Sequence, residues 1–307
     1  MTEYVLGIDA GGTHTDAVLC GPEGLVAAAK TVTCHDDLPS SVAEVLRRLR
    51  EQPAVRDGMF ERIRRVTLGA TLAVNAIVQD KADRVGLALS AGPGLAPERF
   101  ALGGHVCVAP GGLDHRGTEV TPLATEALAS ACARWKAEGV RAVACVGKFS
   151  PRNPAHENAM RDVAARACGL PVTCGHALSG QLNFPRRIAT AYYNAAVARL
   201  HAAFLDAVEG ELARAGISAP VRLLKADGAA VPAALSRREP VQSILSGPAA
   251  SVMGVMALAP VEEDECSLLM DMGGTTTDLA VFVDGSPVVD RDGMLLGGRR
   301  TLVRALA

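Results

Sequence analysis

Asp9-Ala-Gly-Gly-Thr-His-Thr-Asp16 and Asp271-Met-Gly-Gly-Thr-Thr-Thr-Asp278 are two copies of one motif, matching at the opening Asp, both Gly, two Thr and the closing Asp. Apolar runs flank each copy: Tyr4–Ile8 and Ala17–Cys20 around the first, Leu268–Met270 and Leu279–Val283 around the second. This pattern predicts strand, tight glycine turn and strand, a hairpin with a polar tip. Glycines let a backbone close on an anion with its N–H groups inward, and threonine hydroxyls add donors. A carboxylate at a strand end can hold Mg²⁺ through water. Two such hairpins facing one another would clamp a polyphosphate from both sides. His14 stands where the second copy has a threonine, and alternation along extended chain directs it away from the phosphates.

Hairpins of this kind need a sheet and helices to hold them. Gly21-Pro-Glu-Gly24 reads as a turn and Leu25–Val32 as a further strand. A helix follows over Val42–Gln52, capped by Ser40 or Ser41, with Val42, Val45, Leu46 and Leu49 on one face. Arg65–Gly69 reads as a short strand. In the apolar segment Ala70–Val78, Thr71 and Asn75 share a face if the chain is helical. Val85–Ser90 is a buried strand by pattern, and residues 92–122, rich in Gly and Pro, form a loop-heavy insertion. Helices Thr125–Glu138 and Asn158–Cys168 then alternate with strands Val140–Val146 and Pro171–Thr173. A long helix, Arg186–Arg214, precedes a strand Val221–Lys225 with Asp227-Gly228 as its turn. Ser246-Gly-Pro-Ala249 opens a small-residue helix immediately before the second hairpin. The alternation predicts an α/β architecture, and the repeated hairpin marks a duplication of lobes rather than a solenoid.

Composition narrows the function classes. Lys and Arg total 31 against 33 Asp and Glu in 307 residues, and no basic cluster stands out, which argues against nucleic acid as a partner. No apolar run approaches membrane-spanning length, and Met1-Thr-Glu-Tyr4 lacks a basic leader, so a cytoplasmic protein without membrane contact is expected. The eight cysteines include no Cys-x-x-Cys pair and read as reduced thiols, with Cys145 and Cys266 in the core.

The glycine-threonine hairpins and the small-residue helix resemble the actin/Hsp70/sugar-kinase superfamily of ATPases, in which the two hairpins are phosphate loops. Within it, Gly7–Asp16, Thr71-Leu-Ala-Val-Asn-Ala76, Ser246-Gly-Pro-Ala-Ala250 and Asp271–Asp278 resemble the hydantoinase A/5-oxoprolinase family, in the right order and over most of the chain. The resemblance implies a ribonuclease H-like, two-lobed α/β ATPase fold with the second lobe incomplete. Residues 1–185 would be the N-terminal region and residues 186–307 the hydantoinase A-type core. It implies ATP and Mg²⁺ as cofactors. Asp9 and Asp271 would hold the Mg²⁺ waters, and Gly11, Gly12, Thr13, Thr15, Gly273, Gly274, Thr275 and Thr277 would cradle phosphates. Asp227 would have a catalytic role, with Thr71 and Asn75 toward substrate; Asp16 and Asp278 either share the site or fix the hairpin geometry.

The activity implied is ATP-dependent opening of a cyclic amide such as a hydantoin, 5-oxoproline or another lactam, by phosphorylation of its carbonyl oxygen. A hydantoinase B-type subunit is the partner expected, and homo-oligomerisation stays open. Two alternatives use the same loops: a ketone carboxylase subunit and a chaperone-like reactivating ATPase. The family's His-Gly-Thr-Thr run is replaced by Thr67-Leu-Gly-Ala-Thr71, which removes a histidine from the substrate side. Family chains also continue past the second hairpin to an adenosine-binding loop, so this sequence is expected to be a truncated form.

Other constellations have plainer readings. His105, Cys107, Asp114 and His115 gather in one Gly-rich stretch, but their spacing fits no common zinc pattern and favours a polar loop. Asn183, Arg186 and Arg187 can reach a phosphate, although a solvated helix start is the simpler expectation. Capping or packing hydrogen bonds compete with substrate contact at Thr71 and Asn75.

Overall fold

A computed structural model describes residues 3–34, 37–259, 266–273 and 277–306. In chain order the elements are β1 (Tyr4–Ala10), β2 (His14–Gly21), β3 (Gly24–Val32), α1 (Leu38–Arg50), β4 (Ile63–Ala70), α2 (Leu72–Val78), β5 (Val85–Ser90) and β6 (His105–Ala109). Next come β7 (Gly112–Leu113), β8 (Glu119–Thr121), α3 (Glu126–Ala137), β9 (Ala142–Val146), α4 (Ala155–Cys168), β10 (Val172–Cys174), α5 (Gly175–Leu178) and α6 (Phe184–Arg214). The chain continues through β11 (Val221–Leu224), β12 (Ala230–Pro232), α7 (Ala233–Arg238), α8 (Ser246–Leu258), β13 (Cys266–Met272) and β14 (Thr277–Val283). The fold is mixed α/β with several sheets. It divides into two compact units, one drawn from Met1–Ala76, Leu200–Arg291 and Arg304–Ala307, the other from Ile77–Arg199 and Asp292–Val303.

The first unit is built on a six-stranded sheet ordered β12-β11-β4-β1-β2-β3. β1, β2 and β3 are antiparallel neighbours, whereas β4 runs parallel to β1 and β11 parallel to β4. Strand β1 alternates strictly, with Tyr4, Leu6, Ile8 and Ala10 buried, and α1 lays Val42, Val45, Leu46 and Leu49 on the hairpin. The cap of α1 is Asp37, not Ser40 or Ser41: its side chain accepts from the Ser40 amide at 3.1 Å, and Pro39 fits the first turn. Ser41 turns inward and accepts from the Cys34 amide at 2.7 Å.

The second hairpin, β13–β14, belongs to this same unit. It packs Leu269, Ala280 and Phe282 against Val252 and Val255 of α8. Leu268, Met270, Met272, Leu279 and Val283 alternate with those positions and are exposed. Cys266 opens β13 and is exposed too, contrary to the core position its apolar neighbourhood suggests, because odd and even positions of this strand face opposite ways.

The second unit centres on a parallel sheet ordered β10-β9-β5-β6. Both faces are covered, as a parallel sheet requires. Ala88, Val143 and Cys145 pack with Leu128, Cys132 and Trp135 of α3 and Met160 of α4, while Leu87, Leu89, Ala144 and Val146 pack with Phe184, Ile188 and Ala191 of α6. Strand β6 lies inside the stretch expected to be loop; its His-Val-Cys-Val-Ala run is too short, between Gly-rich flanks, to stand out from pattern alone.

In the first unit α6 carries a buried polar relay. The His201 ring Nε2 lies 2.8 Å from Ser236 Oγ, which lies 3.2 Å from Ser243 Oγ. Burial, with the nearby Arg237 charge, lowers the His201 pKa from 6.5 to about 4. The native state therefore holds this ring neutral, whereas the unfolded chain protonates it below its ordinary value. Stability contributed by the neutral ring is full above pH 6.5 and is lost as pH falls toward 4, by about 3 kcal/mol. Urea unfolding measured across this window will show that slope, and His201→Gln will flatten it.

Candidate functional site

The two motif copies fold in matching register. Asp9 sits opposite Asp16 across β1–β2, and Asp271 sits opposite Asp278 across β13–β14. Each hairpin thus sets two carboxylates side by side at the base of its glycine turn, although like charges across a strand pair repel.

The first loop is tightly laced. The Gly11 amide donates to the His14 carbonyl at 3.0 Å, and the Thr33 hydroxyl donates to the Gly11 carbonyl at 3.0 Å. Thr15 is fully buried, its hydroxyl 2.9 Å from that of Thr33, and the Thr33 amide donates to the Thr13 carbonyl at 2.9 Å. Gly11 and Thr15 therefore shape the loop from beneath, while Gly12 and Thr13 are its more open positions. His14 is exposed, with Nδ1 3.2 Å from Thr13 Oγ1. In the second loop Gly273 is exposed at the end of β13 and Thr277 at the start of β14. Gly274 and Thr275 lie outside the described residues.

Negative charge is concentrated here with Lys30 as a partial counter-charge. Burial raises the Asp9 pKa, and the Asp16 and Asp271 carboxylates raise it further, against a smaller opposing effect of Lys30. Asp278 is raised by burial and by Asp271. Lys30 pairs with Asp16 at 3.2 Å, and that pair is solvent-exposed. Asp9 Oδ1 is buried without a hydrogen-bond partner and lies 2.6 Å from where a side-chain carbon at Gly69 would sit. A hard divalent cation would answer this arrangement: the donors are carboxylate oxygens, one of them orphaned, held together against their own repulsion.

Beside the first loop is a polar shelf. Thr71, just past β4, donates its amide to the Ala10 carbonyl at 3.2 Å, and the Asn75 side-chain amide donates to Thr71 Oγ1 at 3.2 Å. The same Asn75 nitrogen lies 3.8 Å from where a side-chain carbon at Gly12 would sit, so the Thr-Asn pair borders the loop directly. Ser246 holds the shelf from behind, accepting from the Ala70 amide and donating to the Ala70 carbonyl, both at 3.1 Å. Its neighbour Leu245 adopts φ +64°, a costly left-handed conformation for a γ-branched residue. From the same helix Ser251 donates to Asp271 Oδ2.

Profiles of two regions match the chain: the hydantoinase/oxoprolinase N-terminal region over residues 5–168, and hydantoinase/oxoprolinase over residues 187–307. The chain belongs to the hydantoinase/oxoprolinase family. A curated relative is the caprolactamase subunit alpha of Pseudomonas jessenii, 27% identical over 94% of this chain and 45% of that protein. Another is the acetophenone carboxylase gamma subunit of Aromatoleum aromaticum, 24% identical over 92% of this chain and 44% of that protein. The chain thus spans about half the length of these relatives. Two solved structures share the fold. Nucleotide-free acetone carboxylase matches with a TM-score of 0.86 at 19% identity, over all of this chain and 48% of the other. The ATP-dependent caprolactamase of P. jessenii matches with a TM-score of 0.80 at 23% identity, over 99% of this chain and 47% of the other.

The remaining sequence candidates of this family member separate clearly. Asp227 has both oxygens engaged, Oδ2 with Lys225 Nζ at 2.8 Å and Oδ1 accepting from the Ala229 amide at 3.1 Å. It closes the β11–β12 turn, where Gly228 at φ +82° faces Met253 so closely that a side-chain carbon would lie 2.8 Å from Met253 Sδ. In the second unit, Arg187 is fully buried rather than at a solvated helix start. It donates to Glu157 Oε1 at 3.1 Å and to the Gly147 carbonyl at 2.7 Å. Asn183 accepts from the Arg186 amide at 3.2 Å, a local cap. Asp114 is a turn residue accepting from the Arg116 and Thr118 amides, and His105 lies 3.2 Å from Glu138. Among the described residues the one group of three whose ligand atoms lie close enough to coordinate a single ion directly is Glu157, Cys174 and His176, none of them in that Gly-rich stretch. Its carboxylate is already taken by Arg187, Gly147 and His176.

Pattern did not single out Thr33, Lys30, Gly69, Ser246 or Ser251 as site residues. Ser246 stood in a quoted motif and Gly69 in the Thr67–Thr71 run; the others are assigned by contacts distant in sequence. Replacing Asp9 separates stability from ligand binding. A raised carboxylate pKa means that the ionised form weakens the folded state above that pKa, so Asp9→Asn is expected to raise the ligand-free unfolding midpoint by roughly 1–3 °C at neutral pH. The variant should also lose the stabilisation by Mg²⁺ expected of the wild type; thermal unfolding with and without Mg²⁺ checks both.

Proposed function

We propose that this chain carries the nucleotide site of an ATP-dependent amidohydrolase that activates the carbonyl of a cyclic amide by phosphorylation. The observation that carries this reading is the pair of glycine hairpins with matched Asp9/Asp16 and Asp271/Asp278 carboxylates in one compact unit. Gly12 and Thr13 of the first loop, with Gly273, Gly274, Thr275 and Thr277 of the second, contact phosphate. Gly11 and Thr15 fix the first loop's shape. Asp9 and Asp271 hold Mg²⁺ through water, and when bound the ion supplies positive charge to the transferring phosphoryl group. Thr71 and Asn75 orient the acceptor carbonyl beside Gly12. Asp227 acts from the neighbouring turn by keeping Lys225 in place. An amide oxygen is a poor leaving group until phosphorylated, so placing it in line with the γ-phosphate is the chain's main contribution.

The sheet order β3-β2-β1-β4-β11, three antiparallel strands followed by two parallel ones, supports a ribonuclease H-like, actin/Hsp70-type lobe. Residues 1–185 form the N-terminal region of the chain and residues 186–307 its hydantoinase A-type core region. Relatives named as alpha and gamma subunits support a multi-subunit enzyme, with a hydantoinase B-type partner completing ring opening. Among the described residues no helix is long and apolar enough to cross a membrane, and the eight free thiols fit a cytoplasmic setting.

A second reading, a ketone carboxylase subunit, draws support from the acetophenone and acetone carboxylase matches. ATP hydrolysis by the protein with its partner subunit decides between them. Stimulation by caprolactam, hydantoin or 5-oxoproline without bicarbonate supports the amidohydrolase. Stimulation by a ketone only with bicarbonate replaces it with the carboxylase.

A further inference from the structure

Helix α8 touches both halves of the carboxylate site through two serines. At its start, Ser246 stands in for a missing strand. Thr71 donates its amide to Ala10 on the β1 side. Polar groups alternate along a strand, so Ala70 points its N–H and C=O to the opposite, β11 side. The last β11 partner of β4 is Leu223, opposite Leu68, so no strand residue is left to meet Ala70. The Ser246 hydroxyl meets both groups, one as acceptor and one as donor, and is itself buried. Five residues on, about 7.5 Å along the helix, Ser251 donates to Asp271 Oδ2. The helix is held by Ala249 between them and by Val252 just beyond, both buried, and Gly247 lies beside Thr71, where a side-chain carbon would be in ordinary contact 3.5 Å from Thr71 Cγ2.

We infer that α8 is a rigid strut in which Ser246 and Ser251 are positioning residues, fixing Asp271 and the second loop relative to the Thr71–Asn75 shelf and the first loop. The inference rests on the nucleotide-site reading for its purpose, but its geometry does not. Without Ser246 the Ala70 amide and carbonyl lose their hydroxyl partner, and without Ser251 the Asp271 carboxylate loses the bond that ties it to the helix. The small residues Gly247, Ala249 and Ala250 let the helix lie close to β4 and transmit a displacement instead of absorbing it.

Amide hydrogen exchange of the whole protein without nucleotide tests the coupling directly. Ser251→Ala removes the contact at the β13 end, and the expected result is at least fivefold faster exchange at the far end, at Ala70, Thr71 and Asn75. Ser251→Thr, which keeps the hydroxyl, should restore wild-type exchange there. Faster exchange confined to β13 and α8, or failure of Ser251→Thr to restore it, overturns the strut. MgATP titration then separates the two ideas. If the wild type binds and Ser251→Ala weakens binding about tenfold without lowering the unfolding midpoint, the strut serves the nucleotide site. If the wild type binds no MgATP while exchange still propagates, the nucleotide reading fails and the mechanical coupling stands.

Discussion

Asp9, Asp16, Asp271 and Asp278 crowd negative charge into one compact unit, and most of the local structure serves to keep it there. Left to electrostatics these groups would separate: Lys30 compensates Asp16 and Ser251 donates to Asp271, but the buried Asp9 Oδ1 has no partner among the described residues. The antiparallel register of β1–β2 and β13–β14 denies them that freedom, and the missing side chain of Gly69 leaves the room that the Asp9 carboxylate occupies. A fold that maintains such repulsion stores free energy that a cation can release on binding.

The surrounding contacts act mainly on geometry. Thr15 and Thr33 fasten the first turn from below, and Thr71 with Asn75 walls it on one side. Ser246 and Ser251 carry that order across α8 to the second turn. These bonds are individually worth about 1 kcal/mol, so none explains the site alone. Their value lies in over-determining a backbone that includes Leu245 in a left-handed conformation. The parallel-sheet unit has a different character. Its buried ion pair, Arg187 with Glu157, is neutralised internally, and Arg187 donates as well to the Gly147 carbonyl, with its Nε left without a partner among the described residues.

Much of this was legible in the sequence because the hairpin motif occurs twice, and the duplication exposed Asp9 and Asp271 as equivalent. Long strands with strict alternation, such as β1, and helices closed by glycine, such as α4 before Gly169, were equally readable. β6 was hidden because five alternating residues between Gly-rich turns carry little periodic signal. Arg187 was misjudged because its partner Glu157 lies thirty residues away on another helix, beyond the reach of local pattern. Ser251 escaped for the same reason, since nothing in α8 itself announces Asp271. The relatives extend to about twice the length of this chain, and the fold it shares with them is closer than its 19–23% identity to the two solved structures would suggest.

The central claim is that Asp9 and Asp271 act as one cation-dependent site. A double-mutant cycle on MgATP affinity, measured by calorimetry for the wild type, Asp9→Asn, Asp271→Asn and the double variant, tests it most directly. Each single variant should weaken binding by at least tenfold, with the double variant little worse than either and the wild type losing binding when Mg²⁺ is chelated. Additive losses, or unchanged affinity in Asp271→Asn, would contradict the account.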